Sequence, residues 1–283
     1  MGRLTRSMSP HQTGSTRSGR RYGPGMADYP FKSALVTGAS AGIGAEIARQ
    51  LGEAGVPTVV VARREERLVE LAARCDDFEV FVADLVTVEG QRAVMERVAS
   101  TESPIDLVVN NAGKGSSGRS HEIDTERLAS DVDLNVTALT RISNAALEAM
   151  AERGSGYLLN VSSVASFQAS AGMAVYAATK AYVTSLTEAL HEEMLGTGVH
   201  VSALCPGLTK TEFQENSNTS GFEAQFPDAL WTSVESVATA GLEGVAKNRT
   251  IVVPGAIYKG LTAVSGAMPR VVSRKLSSLA ARR

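Results

Sequence analysis

The sequence predicts an α/β fold in which a doubly wound parallel β-sheet forms a single domain. Three observations carry that expectation. Short apolar runs alternate with longer amphipathic stretches along the body of the 283-residue chain, the pattern of strands joined by crossover helices. The first apolar run passes directly into a glycine-rich turn and then a helix. A hydrophobic share of 43% against 20% charged residues is enough to cover both faces of a sheet, and the length suits one large domain better than two small ones.

Taken in order, Ala34-Leu35-Val36 is the first strand, followed by the turn Thr37–Gly44 and a helix over about 43–54 that stops at Gly55. Val59–Ala62 is the next strand and closes a βαβ unit. The alternation continues with a helix over 66–74, a strand over 80–83, a helix over 89–100 and a strand over 106–109. A long helix over 126–152, a strand over 157–161 and a second long helix over 172–195 follow. Strand 200–204, helix 234–247 and strand 250–253 complete a domain assigned to residues 26–257.

The two ends differ from this body. Residues 1–25 hold five arginines, no acid and no apolar periodicity, and read as a disordered extension. Met26 as the functional start is the favoured explanation, and a mitochondrial transit peptide is the other. Residues 258–283 alternate small apolar residues with Arg and Lys and read as a basic amphipathic tail. That tail could lie on an anionic membrane surface or dock on the acidic body or a partner subunit. An acidic body argues against nucleic acid as a partner. Cys75 and Cys205 stand far apart in sequence with no metal-ligand spacing, as in a reduced, cytoplasmic protein, and no metal site is expected. No run of about 18 apolar residues spans a membrane.

The chemistry begins at Gly38-x-x-x-Gly42-x-Gly44. Glycines between a strand and a helix let backbone approach a pyrophosphate, whose charge the helix N-terminus stabilises. Nineteen residues past Gly44, where an NAD enzyme carries an acid for the ribose, stand Arg63 and Arg64. Two guanidiniums there suit a 2′-phosphate, so NADP(H) is favoured over NAD(H), the alternative being a solvated helix start. Farther along, Tyr176 and Lys180 lie four apart on one helical face. An ammonium beside a phenol favours phenolate and brings its pKa toward the working range. His11, His121, His191 and His200 are scattered and form no rival set.

Thr37–Gly44 as TGxxxGxG, Asn110-Asn111-Ala112-Gly113, Ser163 and Tyr176-x-x-x-Lys180 together resemble the short-chain dehydrogenase/reductase family over about residues 31–255. The interval of 13 from Ser163 to Tyr176 is the one that family uses, which leaves Ser162 as a neighbour. The resemblance implies a Rossmann fold, a homodimer or homotetramer, and a catalytic set of Asn135, Ser163, Tyr176 and Lys180. It implies cofactor contacts from Thr37, Gly38, Ser40, Ala41, Gly42, Ile43 and Gly44 and from Asn111, Ala112 and Gly113. Asp84 and Leu85 would meet the adenine, although Asp84 could equally be a cap or turn residue and Asn111 a turn former. Tyr176 and Lys180 would hold the nicotinamide ribose side, and Pro206, Gly207, Thr209 and Thr211 would close over the ring. Asn135 would anchor a water linking Lys180 to solvent.

Between Thr211 and Thr232 the chain turns polar but holds Phe213, Phe222, Phe226 and Trp231, a lid-like composition. Phe213, with Ser163 and Tyr176, is expected to meet a bulky apolar or acyl-type carbonyl compound or alcohol. The activity implied is hydride transfer between NADPH and that substrate. The alternative is a non-catalytic protein of the same fold that senses NADP(H).

Overall fold

The computed structural model describes residues 29–75, 77–217 and 227–267. Seven strands, β1 (Ala34–Thr37), β2 (Thr58–Ala62), β3 (Phe78–Val82), β4 (Leu107–Asn110), β5 (Gly156–Val161), β6 (Val199–Leu204) and β7 (Ile251–Val252), form one sheet. Its order is β3-β2-β1-β4-β5-β6-β7 and every pairing is parallel, with Val36 opposite Val60 on one side and Val109 on the other. Strand order therefore reverses between β1 and β4, and a crevice opens beyond their carboxyl ends.

The sheet is buried on both faces because its strands alternate. Ala34, Val36, Val60, Leu107, Val109 and Leu159 pack with α1 (Gly42–Glu53) and α8 (Val234–Ala246). Leu35, Val59, Val61, Val108 and Leu158 point the other way, toward α3 (Val88–Ala99) and α5 (Leu139–Arg153). The helix α2 (Glu65–Ala72) links β2 to β3, and α6 (Ala174–Glu193) links β5 to β6.

The structure departs from the sequence expectation in three places. The long helix over 126–152 is α4 (Thr125–Val132), a π-helical turn over Asp133–Ala138, and then α5. A short helix, α7 (Phe213–Asn216), forms inside the polar stretch between Thr211 and Thr232, where no helix is expected from sequence. The last helix, α9 (Ala256–Ala267), crosses the boundary expected at residue 258, because its Tyr258 is buried in the domain. The Tyr258 hydroxyl accepts from Leu208 N at 3.0 Å and donates to Leu230 O at 2.8 Å. Residues 1–28, Phe222, Phe226 and 268–283 lie outside the described residues. No helix among the described residues is long and apolar enough to cross a membrane.

Candidate active site

The site is a cleft of about 810 Å³ at the carboxyl ends of the strands. Its floor is the β1–α1 turn. Gly38 takes φ +67° and Gly42 φ +57°, left-handed values that any Cβ would strain. Helix α1 follows from the N-cap position Ala41 with no side-chain cap and no acid in its first turn. Its leading N–H groups and dipole therefore face the cleft ready for an anion, which is the fit a dinucleotide pyrophosphate requires.

Gly38, Ser40, Ala41, Gly42 and Ile43 line this floor. Arg63, Arg64, Asp84 and Leu85 line the β2–β3 end, and Asn111, Ala112 and Gly113 the wall after β4. Pro206, Gly207, Thr209 and Thr211 come from the segment after β6. Two expected contacts stand behind the wall. Thr37 is buried, and its hydroxyl accepts from the backbone N–H groups of Asn111 and Ala112, both at 3.0 Å. A Cβ at Gly44 would come 2.2 Å from Asn111 Nδ2 and 2.5 Å from Gly38 O, so this glycine serves helix packing. Asn111 is itself a strut, since its Nδ2 donates to Thr37 O at 2.9 Å. Asp84 both faces the cleft and makes a turn contact. It lines the cleft beside Arg63 at 3.7 Å, and its Oδ1 accepts from Val86 N in a local turn.

The chemistry is concentrated where β5 ends against α6. Tyr176 and Lys180, one turn apart on α6, line the cleft together with Ser163. The Ser163 hydroxyl accepts from Ala165 N at 3.1 Å, which orients it. Ser162 is buried beside it, its hydroxyl donating to Lys180 O at 2.9 Å and bonded to Thr184.

The electrostatics differ from the expectation. Burial holds the Tyr176 phenol above its ordinary value, with the Ser163 hydrogen bond pulling the other way. Burial also pushes the Lys180 ammonium down to about 8. The ammonium does not reach the phenol oxygen. Nζ donates to Val161 O at 2.8 Å and lies 5.8 Å from the Tyr176 ring centroid.

Asn135 sits in the π turn and is buried. Its Oδ1 accepts from Lys114 N at 3.0 Å, and its Nδ2 donates to Lys114 O at 2.8 Å and Thr179 Oγ1 at 3.0 Å. A Cβ at Gly113 would meet Asn135 Oδ1 at 3.3 Å and Lys180 Nζ at 3.4 Å, so both groups converge on that bare backbone. The Phe213 ring lies 5.3 Å from that of Tyr176, and both Phe213 and Trp231 line the cleft.

Sequence reasoning missed Lys114, Arg127, Asp131 and Glu212, all cleft-lining residues. Lys114 Nζ donates to Ser130 Oγ at 2.5 Å and lies 3.9 Å from the buried Asp131 carboxylate. The spacing of Arg127, Asp131 and Asn135 by fours was the available signal, because it places all three on one helix face. Glu212 had none, since its partner is Arg64, 2.8 Å away and far off in sequence.

A family model described as short chain dehydrogenase matches residues 32–221. An uncharacterised oxidoreductase of Staphylococcus saprophyticus is 35% identical over 191 residues, 66% of this chain and 82% of that protein. A short-chain dehydrogenase from Sphingobium yanoikuyae, solved in complex with NADPH, superposes with a TM-score of 0.75 at 32% identity, covering 83% of this chain and 92% of that one. The bulky-bulky ketone specific alcohol dehydrogenase from Comamonas testosteroni gives a TM-score of 0.71 at 30% identity over 83% and 91%.

Proposed function

Since the chain belongs to the short-chain dehydrogenase family of oxidoreductases, we propose that it is an NADP(H)-dependent reductase of a ketone or aldehyde with a bulky apolar or acyl substituent. The observation that carries this reading is that Ser163, Tyr176 and Lys180 line one wall of the cleft together, with Ser163 acting on the Tyr176 phenol against its burial. A nicotinamide cofactor held by the glycine turn, Arg63, Arg64, Asp84, Asn111 and Lys180 would supply or accept the hydride. The chain's own residues handle the oxygen and the proton.

A carbonyl oxygen set between the two hydroxyls accepts a hydrogen bond from Ser163, whose own lone pair is occupied by Ala165 N–H. That donor strengthens as negative charge develops on the oxygen. Tyr176 delivers the proton, and its raised pKa keeps the phenol protonated at neutral pH. Lys180, with its pKa near 8, is mostly ammonium at neutral pH and supplies positive potential beside the phenolate left behind. Asn135 anchors the Lys114 backbone next to Lys180 and completes the buried wall. Phe213 and Trp231 give the substrate side apolar surface, which supports a bulky substrate as in the Comamonas testosteroni protein.

NADPH consumption with a panel of bulky ketones tests the reading. Tyr176→Phe is expected to retain NADPH binding and lose about 10³-fold or more in kcat, since it removes the proton donor. Equal turnover by the variant would end the assignment. Arg64→Gln is expected to raise the KM for NADPH about ten-fold and to leave that for NADH within two-fold, each guanidinium–phosphate hydrogen bond contributing about 1.5–3 kcal/mol.

A further inference from the structure

The β2 end of the cleft already contains an anion, and it belongs to the protein. Glu212 Oε2 lies 2.8 Å from Arg64 Nη1, and Glu212 Oε1 lies 3.9 Å from Arg67 Nη2. Arg64 also donates to Ser40 Oγ in the glycine turn, from Nη2 at 3.1 Å and Nε at 3.3 Å. A carboxylate spread over two guanidiniums is bound by the same donors that hold a phosphate. All three side chains are partly exposed, so the pairing is weak and open to exchange.

Glu212 is also wired to the rest of the site. Its neighbour Thr211 crosses the glycine turn, where a Cβ at Gly42 would meet it at 3.2 Å. Its other neighbour, Phe213, packs on Tyr176 with ring centroids 5.3 Å apart. Gln214 Nε2 donates to Thr209 O at 2.7 Å, Thr232 N to Leu208 O at 2.9 Å, and Lys210 Nζ lies 5.6 Å from the Trp231 ring. A displacement of Glu212 is therefore transmitted toward both Tyr176 and Trp231.

We propose that Glu212 is a cofactor-specificity residue: an internal stand-in for the 2′-phosphate of NADP(H), held between Arg64 and Arg67 and exchanged for that phosphate on binding. The exchange frees the Thr209–Gln214 segment to resettle against Tyr176. This rests on the NADP(H) reading above. A cofactor without a 2′-phosphate leaves Glu212 in place, so the latch responds to one cofactor and ignores the other.

Two probes lacking nicotinamide separate the possibilities, namely 2′,5′-ADP, which carries the 2′-phosphate, and 5′-ADP, which does not. Trp231 is the chain's single tryptophan and reports on the segment through its emission. The wild-type protein is expected to bind 2′,5′-ADP more tightly than 5′-ADP and to shift its emission with 2′,5′-ADP alone. Glu212→Gln is expected to tighten 2′,5′-ADP and NADPH about two- to five-fold, the size of a released exposed ion pair, and to leave 5′-ADP and NADH unchanged. It should also abolish most of the emission shift. If wild-type prefers 2′,5′-ADP but Glu212→Gln leaves NADPH affinity unchanged or weaker, the latch is wrong and the cofactor reading stands. If wild-type does not distinguish the two probes, the NADP(H) reading fails and the latch falls with it.

Discussion

Lys180 shows how much one buried charge costs and why the chain retains it. The side chain is 5% exposed and its ammonium donates to the Val161 carbonyl. Its pKa falls from the ordinary 10.5 to about 8. The unfolded chain therefore holds the proton more tightly than the folded one, so the burial penalty is complete below pH 8 and fades as pH rises toward 10.5. A shift of that size corresponds to on the order of 3 kcal/mol, and the hydrogen bond to Val161 that a substitution removes offsets about 1 kcal/mol of it. Lys180→Met is thus expected to destroy turnover while raising the thermal midpoint of the cofactor-free protein by a few degrees at pH 7. The gain should shrink when unfolding is measured at pH 10. A variant less stable than wild-type at pH 7 would contradict the burial argument.

At the scale of elements, the π turn is the feature that positions the site. One extra residue per turn over Asp133–Ala138 rotates the helix between α4 and α5 and aims Asn135 at Lys114 and Thr179. Asn135→Ala leaves the part-buried Lys114 N–H and C=O without their side-chain partner, an expected loss of about 1–3 kcal/mol in denaturant unfolding. Its kcat should fall further than its KM changes, because Asn135 lies behind the cleft wall and holds the Lys114 backbone next to Lys180. The other rigid joint is the crossing of α1 over the end of β4. Gly44→Ala drives a methyl into Asn111 and the Gly38 carbonyl, and about 1–3 kcal/mol or more of stability should be lost with dinucleotide affinity. Equal stability of this variant in an unfolding titration would show that α1 can shift away from Asn111.

For the molecule as a whole, the order β3-β2-β1-β4-β5-β6-β7 explains why one cleft collects residues from so many parts of the chain. The reversal at β1 and β4 leaves the crevice open, and the loops after β2, β5 and β6 reach it from both sides. Helix α9 closes the far edge by inserting Tyr258 against Gly207, where a Cβ would lie 2.2 Å from the ring. Tyr258→Ala is expected to cost about 3–5 kcal/mol and to loosen the 206–209 segment, read as a lower thermal midpoint and a higher KM for NADPH. A cofactor KM equal to wild-type would show that this segment is held without α9.

Much of this was legible in the chain itself. The alternation of strands and helices and the glycine turn are local patterns that survive reading in one dimension, and the 13-residue step from Ser163 to Tyr176 was legible through the family resemblance. The π turn escaped because it keeps helical spacing on either side of a single slip. The direction of the Tyr176 and Lys180 shifts, the pairing of Arg64 with Glu212 and the seat of Tyr258 depended on the folded chain. Desolvation is set by everything packed around a group, and a partner 148 positions away is chosen by topology. The sequence by itself determined which chemical groups are present and at what intervals, whereas only the tertiary structure decided what surrounds each charge, because burial and long-range pairing are properties of the packed molecule.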